Sequence, residues 1–407
     1  MWALCEKEKG KYDFAWLDET VKALLDMGIQ PFLTLAYGNP IYSDKCKEPG
    51  GIGASPFEND EAHSAFVKFA GALAAHFADR VSHYEVWNEP DGGDFLPLNQ
   101  KEATWYSEYG KLLRSTGDVI RKANLKAKIV CGAFIMCETP EPAYRILSQD
   151  GMSDYVDVVS YHFYRPLPEQ SSRQIRAAWK ATVERYVPGS PVWMDESGLP
   201  SFREHGNQGA LLEMRKYSEE IQAKWLSRRM IDYLSDNLTE LVLYFRLADY
   251  IRFETGIMNH YSVLRYEDGS EKPSYYALQN VCSLLDGKTL PSDEVLFELR
   301  NPKGYDLHTA YMLNSTERHG FIRNGVPMLI YWNPSDVDLP YAPTKCDLRY
   351  WLPKGASFER PVAIDMLTGN VYTLEKHSIR RFPNGYEGPR ILHDVPLLDY
   401  PVAWFCF

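Results

Sequence analysis

Two glutamates close two apolar runs, Glu89 in Val86-Trp87-Asn88-Glu89-Pro90 and Glu196 in Val192-Trp193-Met194-Asp195-Glu196. A pair of carboxyl groups facing each other across an anomeric carbon can break a glycosidic bond. One of them protonates the departing oxygen and must hold a proton near neutral pH. The other attacks and must be ionised. Mutual repulsion and unequal burial push the two pKa values apart, so neighbouring strand ends can supply both states. The plain alternative is two unrelated acids at loop starts, and the matching flanks weigh against it. Chemistry of this kind calls for no metal and no organic cofactor.

The glutamates need a frame that brings them together. Short apolar runs at 30–37, 83–88, 128–133, 155–162, 191–196 and 240–247 predict buried parallel strands. Amphipathic patterns at 16–27, 60–78, 102–123, 171–186, 214–236 and 274–286 predict the covering helices. In the second of these, Ala65, Phe66, Phe69, Leu73 and His76/Phe77 share one face. Six β-α units in a row imply a parallel sheet with helices outside. Pro90 has no N–H and ends its strand at Glu89. A glutamate there points into the mouth where α/β barrels keep their reactive groups. Past residue 287 the texture changes to Pro, Gly, Asn and Asp between short alternating runs such as 327–332, 361–364 and 402–407. That is the pattern of an antiparallel β-sandwich. The predicted division is a barrel over 1–290 and a sandwich over 291–407.

Other strand-end residues join the candidate site. His162 and Tyr164, in Ser160-Tyr161-His162-Phe163-Tyr164, face the same mouth and can hold the attacking carboxylate, or His162 is structural. Tyr161 alternates into the core. Tyr37 and Asn39 follow the first visible strand as pocket candidates, with Gly38 letting the backbone turn. Arg246 either binds an anionic sugar or pairs with Asp249. Trp87 and Trp193 read as barrel packing, and the loop 198–209 reads as shaping the leaving-group side. Tyr331, Trp332, Tyr350 and Trp351 read as packing before a sugar platform.

Composition narrows the class. Aromatic residues make up 14% of the 407, which suits sugar stacking as well as ordinary cores. A net charge of −11 argues against nucleic acid as a partner. No apolar run is long enough to span a bilayer. The seven cysteines contain no CxxC pair, so neither a cysteine zinc site nor a disulfide framework is indicated.

These residues resemble glycoside hydrolase clan A, the (β/α)8 enzymes, and most closely families like family 39, over roughly residues 2–287. The resemblance implies that Asn88-Glu89-Pro90 ends the fourth barrel strand with Glu89 as acid/base. It implies that Glu196 ends the seventh as nucleophile, and two strands do lie between them. It gives Asn88 a hydrogen bond to the sugar hydroxyl next to the anomeric centre, with loop capping as the alternative. At the eighth strand end many clan members carry an aromatic where this sequence has Arg246. The implied fold is α/β: a (β/α)8-type (TIM) barrel lacking its first two strands, then an antiparallel β-sandwich. Only Met1–Phe14 precedes the third-strand unit, so the chain is expected to be N-terminally incomplete relative to its relatives. The compartment is therefore not read. The expected activity is a retaining O-glycosyl hydrolase acting on a β-linked carbohydrate. A non-catalytic carbohydrate-binding protein on a decayed fold, and a transglycosidase using the same residues, are the alternatives. Sugar identity and oligomeric state are not read from these residues.

Overall fold

A computed structural model describes all residues except 48–55, 93–104, 171–172, 202–216, 252–257, 302–312, 314, 338, 352–359, 375–376, 382–386 and 407. Six parallel strands form one sheet in sequence order: β1 (Phe32–Leu35), β2 (His83–Val86), β3 (Lys128–Phe134), β4 (Val158–His162), β5 (Val192–Ser197) and β6 (Leu241–Tyr244). Each is followed by helical chain, because parallel neighbours need a crossover. Helices α1 (Trp2–Cys5) and α2 (Ala15–Asp26) precede β1, and α3 (Asp60–His76) leads to β2. Then come α4 (Trp105–Ala123), α5 (Glu141–Leu147), α6 (Arg173–Tyr186), α7 (Glu219–Leu234) and α8 (Pro273–Leu284). Asn59 and Ser218 cap α3 and α7 by accepting from the N–H of Ala62 and Ile221.

The sheet curls as part of a barrel. Phe32 of β1 meets Trp193 of β5 at a ring distance of 5.5 Å, and His83 of β2 meets the same Trp193 at 5.2 Å. Among the described residues β1 and β6 do not pair. A cavity of about 350 Å³ lies between them, lined by Val21, Leu24, Phe32, Leu33, Leu241 and Leu243 among others. Just ahead of α1, the Met1 amino group donates to the Ala36 carbonyl, next to the end of β1, at 2.6 Å. Trp2 is buried there against Tyr42, Phe66 and Phe69.

The remaining strands are antiparallel. A short hairpin joins β7 (Tyr250–Ile251) and β8 (Met258–Asn259). Next along the chain are β9 (Thr289–Pro291), β10 (Leu296–Arg300), β11 (Glu317–Arg323), β12 (Val326–Trp332) and β13 (Thr344–Trp351). The last five are β14 (Pro361–Asp365), β15 (Val371–Thr373), β16 (His377–Arg381), β17 (Glu387–Leu397) and β18 (Val402–Cys406). They form a four-stranded sheet, β10-β13-β17-β16, and a six-stranded sheet, β15-β14-β18-β12-β11-β9. Alternation along β12 gives the layering. Met328, Ile330 and Trp332 join the core shared with the barrel helices, while Leu329 and Tyr331 join the core between the two antiparallel sheets. Trp332, Tyr331 and Tyr350 are therefore packing residues, and Trp351 is 38% exposed at the edge.

Candidate active site

The site is built where β2, β4 and β5 end. After Val86 the chain leaves the ladder with Trp87 and Glu89 in the left-handed region, at φ 71° and 47°. Non-glycine residues hold that conformation at a cost of about 1–3 kcal/mol each, so the surroundings must enforce it. Trp87 is fully buried against Phe57 and Phe66, and its N–H donates to the Leu35 carbonyl at 3.1 Å. Beyond Glu89, the Gly92 N–H returns to the Glu89 carbonyl. Buried Asp91 accepts from the N–H groups of Ile135 and Met136 at 3.0 and 2.8 Å, which ties this turn to the end of β3. The β4 and β5 ends are locked likewise: the Phe163 N–H donates to the Glu196 carbonyl, and the Ser197 hydroxyl to the Phe163 carbonyl.

These turns bring Glu89, His162, Tyr164 and Glu196 together. His162 Nδ1 lies 2.8 Å from Glu89 Oε1 and 3.8 Å from Glu196 Oε1. The Tyr164 hydroxyl donates to Glu196 Oε1 at 2.6 Å. Glu89, His162 and Glu196 each offer a ligand atom, all within 4.8 Å of one another, so the trio has the spacing to hold a cation. Exposure is unequal: the side chains of His162 and Glu89 are 2% and 11% exposed, that of Glu196 26%. Burial alone would lower the His162 pKa. The charges of Glu196 and Glu89, with the Glu89 hydrogen bond, outweigh it and raise the group to about 9. Burial pushes the Glu196 carboxyl up, partly offset by the His162 charge and the Tyr164 hydrogen bond. Tyr37 packs edge-on to Trp87, and its hydroxyl is raised by burial and then by the charges of Glu196 and Glu89. Tyr37 therefore shares the cluster. Asn88 lies between Trp87 and Glu89 and is 8% exposed.

Two expected residues behave differently. Asn39 is 1% exposed; its amide donates to the Glu6 carbonyl and its oxygen accepts from the Ile41 N–H, so it fastens the N-terminal segment. Arg246 lies over the Tyr250 ring at 3.9 Å, while Asp249 takes Lys272 at 2.8 Å and Ser262 as partners. The expected Arg246–Asp249 pairing gives way because Lys272, just ahead of α8, reaches the same carboxylate. Residues 202–209 of the loop 198–209 lie outside the described residues.

A layer beneath the site was not anticipated. Glu85 accepts from Thr34 and Ser160 hydroxyls at 2.8 Å each. Asp195 lies 3.6 Å from His162 Nε2 with its side chain 2% exposed. Burial, and after it the neighbouring Glu85 charge, push the Asp195 carboxyl well above its usual range. The one sequence signal for this layer was an acid at an inward position of an apolar strand, His83-Tyr84-Glu85-Val86.

Comparison with known proteins sets this geometry in context. The family model described as Cellulase (glycosyl hydrolase family 5) matches residues 14–242. None of the curated proteins compared matches the chain. Among solved structures, a family 39 glycoside hydrolase from Bacteroides cellulosilyticus WH2 is similar at TM-score 0.65 and 17% identity, over 100% of this chain and 74% of that one. A monomeric β-xylosidase from Caulobacter crescentus CB15 is similar at TM-score 0.57 and 14% identity, over 98% and 85%. A family 30 endoxylanase from Clostridium papyrosolvens C71 follows at TM-score 0.56 and 11% identity, over 97% and 84%. Likeness at such low identity speaks for the fold alone, that of an incomplete TIM barrel with an antiparallel sandwich. The family model covers more than half of the sequence and spans both glutamates, so the chain belongs to the cellulase family, glycosyl hydrolase family 5, of clan A, and is a glycoside hydrolase.

Proposed function

We propose that the chain hydrolyses a β-linked glycoside with net retention, Glu196 acting as nucleophile and Glu89 as acid/base. The observation that carries this is the approach of the two carboxylates, with oxygens within 4.8 Å of each other. Retaining enzymes hold the two groups about 5–5.5 Å apart, and inverting ones about 6.5–9.5 Å apart to admit a water. Glu196 attacks the anomeric carbon while Glu89 gives its proton to the departing oxygen, leaving a glycosyl ester on Glu196. Glu89 then takes a proton from water, whose oxygen displaces Glu196 and releases the sugar. Tyr164 orients the attacking carboxylate by its 2.6 Å hydrogen bond, and the His162 charge favours its ionised form. Asn88 is assigned to the neighbouring sugar hydroxyl, and Tyr37 to the pocket wall. Arg246 is left as a candidate contact for the substrate. We propose also that residues 1–290 are the catalytic unit and 291–407 an accessory sandwich, a boundary that falls within β9, Thr289–Pro291.

Cellulose, xylan and aryl β-xylosides are the first substrates to test, given a family described as cellulase and similar folds in a β-xylosidase and an endoxylanase. Proton NMR of the first product should show the β-anomer before mutarotation; an α-anomer appearing first sinks the retaining reading. Glu196→Gln should reduce turnover below detection. Glu89→Gln should lose roughly 10²–10⁴-fold on a poor leaving group. It should lose far less on a dinitrophenyl glycoside, which departs without protonation. Normal turnover in Glu196→Gln overturns the assignment.

A further inference from the structure

A second group of ionisable side chains, sharing no residue with the first, lies between the barrel helices and the six-stranded antiparallel sheet. Glu317 and His319 are two residues apart on β11 and so project from the same face. Asp232 reaches them from the last turn of α7. One ligand atom from each of the three lies within 4.8 Å of the others, and His319 Nε2 is 3.8 Å from Glu317 Oε2. All three border a polar cavity of about 480 Å³, with Glu169, Arg176 and Asp236 also on its wall.

The second observation is at His319 itself. Its Nε2 is enclosed by protein and has no hydrogen-bond partner among the described residues. The ring is fixed by stacking on Trp332 at 5.0 Å, and only 12% of the side chain is exposed. A buried ring nitrogen without a partner is costly unless something fills its lone pair. The two other largely buried acids on the wall are already engaged, while Asp293 is exposed. Glu169 accepts from Arg228 and Trp332, and Asp236 accepts from Arg176. Asp232 gives Oδ2 to Arg176 at 2.8 Å, but Oδ1 has only a long 3.4 Å contact with the same guanidinium. That leaves Asp232, Glu317 and His319 Nε2 with ligand atoms within 4.8 Å of one another beside the cavity.

We infer that Asp232, Glu317 and His319 form a binding site for a divalent transition-metal ion of the Zn²⁺ class, with the cavity supplying water as fourth ligand. An imidazole with two carboxylates suits zinc, whereas Mg²⁺ and Ca²⁺ prefer oxygen alone. Zinc bonds of about 2.0–2.1 Å place tetrahedral ligand atoms roughly 3.4 Å apart. The observed spacing therefore closes with small rotations of Glu317, whose side chain is 34% exposed. The ion would join α7 to β11 and serve the fold, leaving the glycosidase chemistry to other residues.

The test is a calorimetric titration of the chelator-stripped full chain with zinc chloride, beside thermal melts with and without the metal. The expected result is one Zn²⁺ per chain at micromolar or tighter affinity and a rise in Tm that Mg²⁺ and Ca²⁺ do not give. His319→Ala and Glu317→Gln should each weaken binding at least tenfold, while Glu89→Gln/Glu196→Gln leaves it intact. Glu317→Gln keeps the side-chain size at a partly exposed position and decides the matter if His319→Ala fails to fold. No saturable uptake, uptake unchanged in Glu317→Gln, or uptake lost in the Glu89→Gln/Glu196→Gln chain each overturns the site.

Discussion

His162 stands among three carboxyl groups: Glu89 at 2.8 Å, Asp195 at 3.6 Å and Glu196 at 3.8 Å. Its pKa of about 9 makes it an imidazolium near neutral pH, and that charge lowers the cost of ionising Glu196. Replacing it by asparagine keeps a donor but removes the charge. The Glu196 pKa must then rise, so the acidic limb of kcat/KM against pH moves to higher pH in His162→Asn. A limb that stays in place shows that the imidazolium does not govern the nucleophile. The same linkage acts on stability. The folded pKa lies above the unfolded value of about 6.5, so the contribution is complete below that pH and fades as pH climbs through about 9. The gap in unfolding free energy between wild type and His162→Asn should narrow over that window. That Glu89, His162, Tyr164 and Glu196 would share one mouth was legible because strand ends next to Pro90 and Gly198 mark it. Partnership was not. That His162 meets Glu89, or that Lys272 takes Asp249, depends on register and on chain arriving from far along the sequence.

At the level of elements, β3 shows how a strand is shaped to serve the site. Gly132 sits at φ 148° and the following Ala133 at 52°, and the β3–β4 register slips between Cys131 and Phe134. The irregularity lets the Ala133 N–H reach the Ser160 hydroxyl at 2.7 Å, which in turn donates to Glu85. A Cβ on Gly132 would lie 2.1 Å from the Ser160 carbonyl oxygen. Gly132→Ala should therefore destabilise the fold by on the order of 2–4 kcal/mol in urea unfolding, combining the clash with an unfavourable φ. An unchanged midpoint would mean that β3 and β4 can separate freely there. The parallel strands and long helices were legible from period and length, since buried runs and amphipathic faces leave clear patterns. The helices α1 and α5 were not: four and seven residues are too few for a period to emerge, and Pro140 and Pro142 obscure the second. The sandwich was legible as a texture only, because antiparallel partners such as β12 and β18 lie some seventy residues apart.

For the molecule as a whole, the joint between barrel and sandwich is polar at its centre and apolar around it. Arg228 on α7 is fully buried and donates to both oxygens of Glu169 at 2.7 Å. It also donates to the carbonyls of Ser335 and Asp399, at 2.8 and 3.2 Å. Burial would raise Glu169, but the Arg228 charge prevails and holds the carboxyl below its usual range. Removing one partner of a buried pair strands the other, at about 3–5 kcal/mol. Arg228→Met should lose that much stability in denaturant titration, and adding Glu169→Leu should restore part of it. Equal losses in the single and double variants would mean that Arg228 acts by packing alone.

The sheet that carries β12 and β18 is apolar on both faces, one set of side chains turned to the barrel helices and the other to its companion sheet. Antiparallel sheets usually keep one face for water. Along β12 and β18 neither face is available for solvation, although the edge strand β15 is exposed, so the sandwich does not part cleanly from the barrel. Grafting it onto another enzyme, or trimming it away, would lay bare a hydrophobic surface on each fragment. A rearranged gene that carried the barrel alone would encode a chain with that surface uncovered.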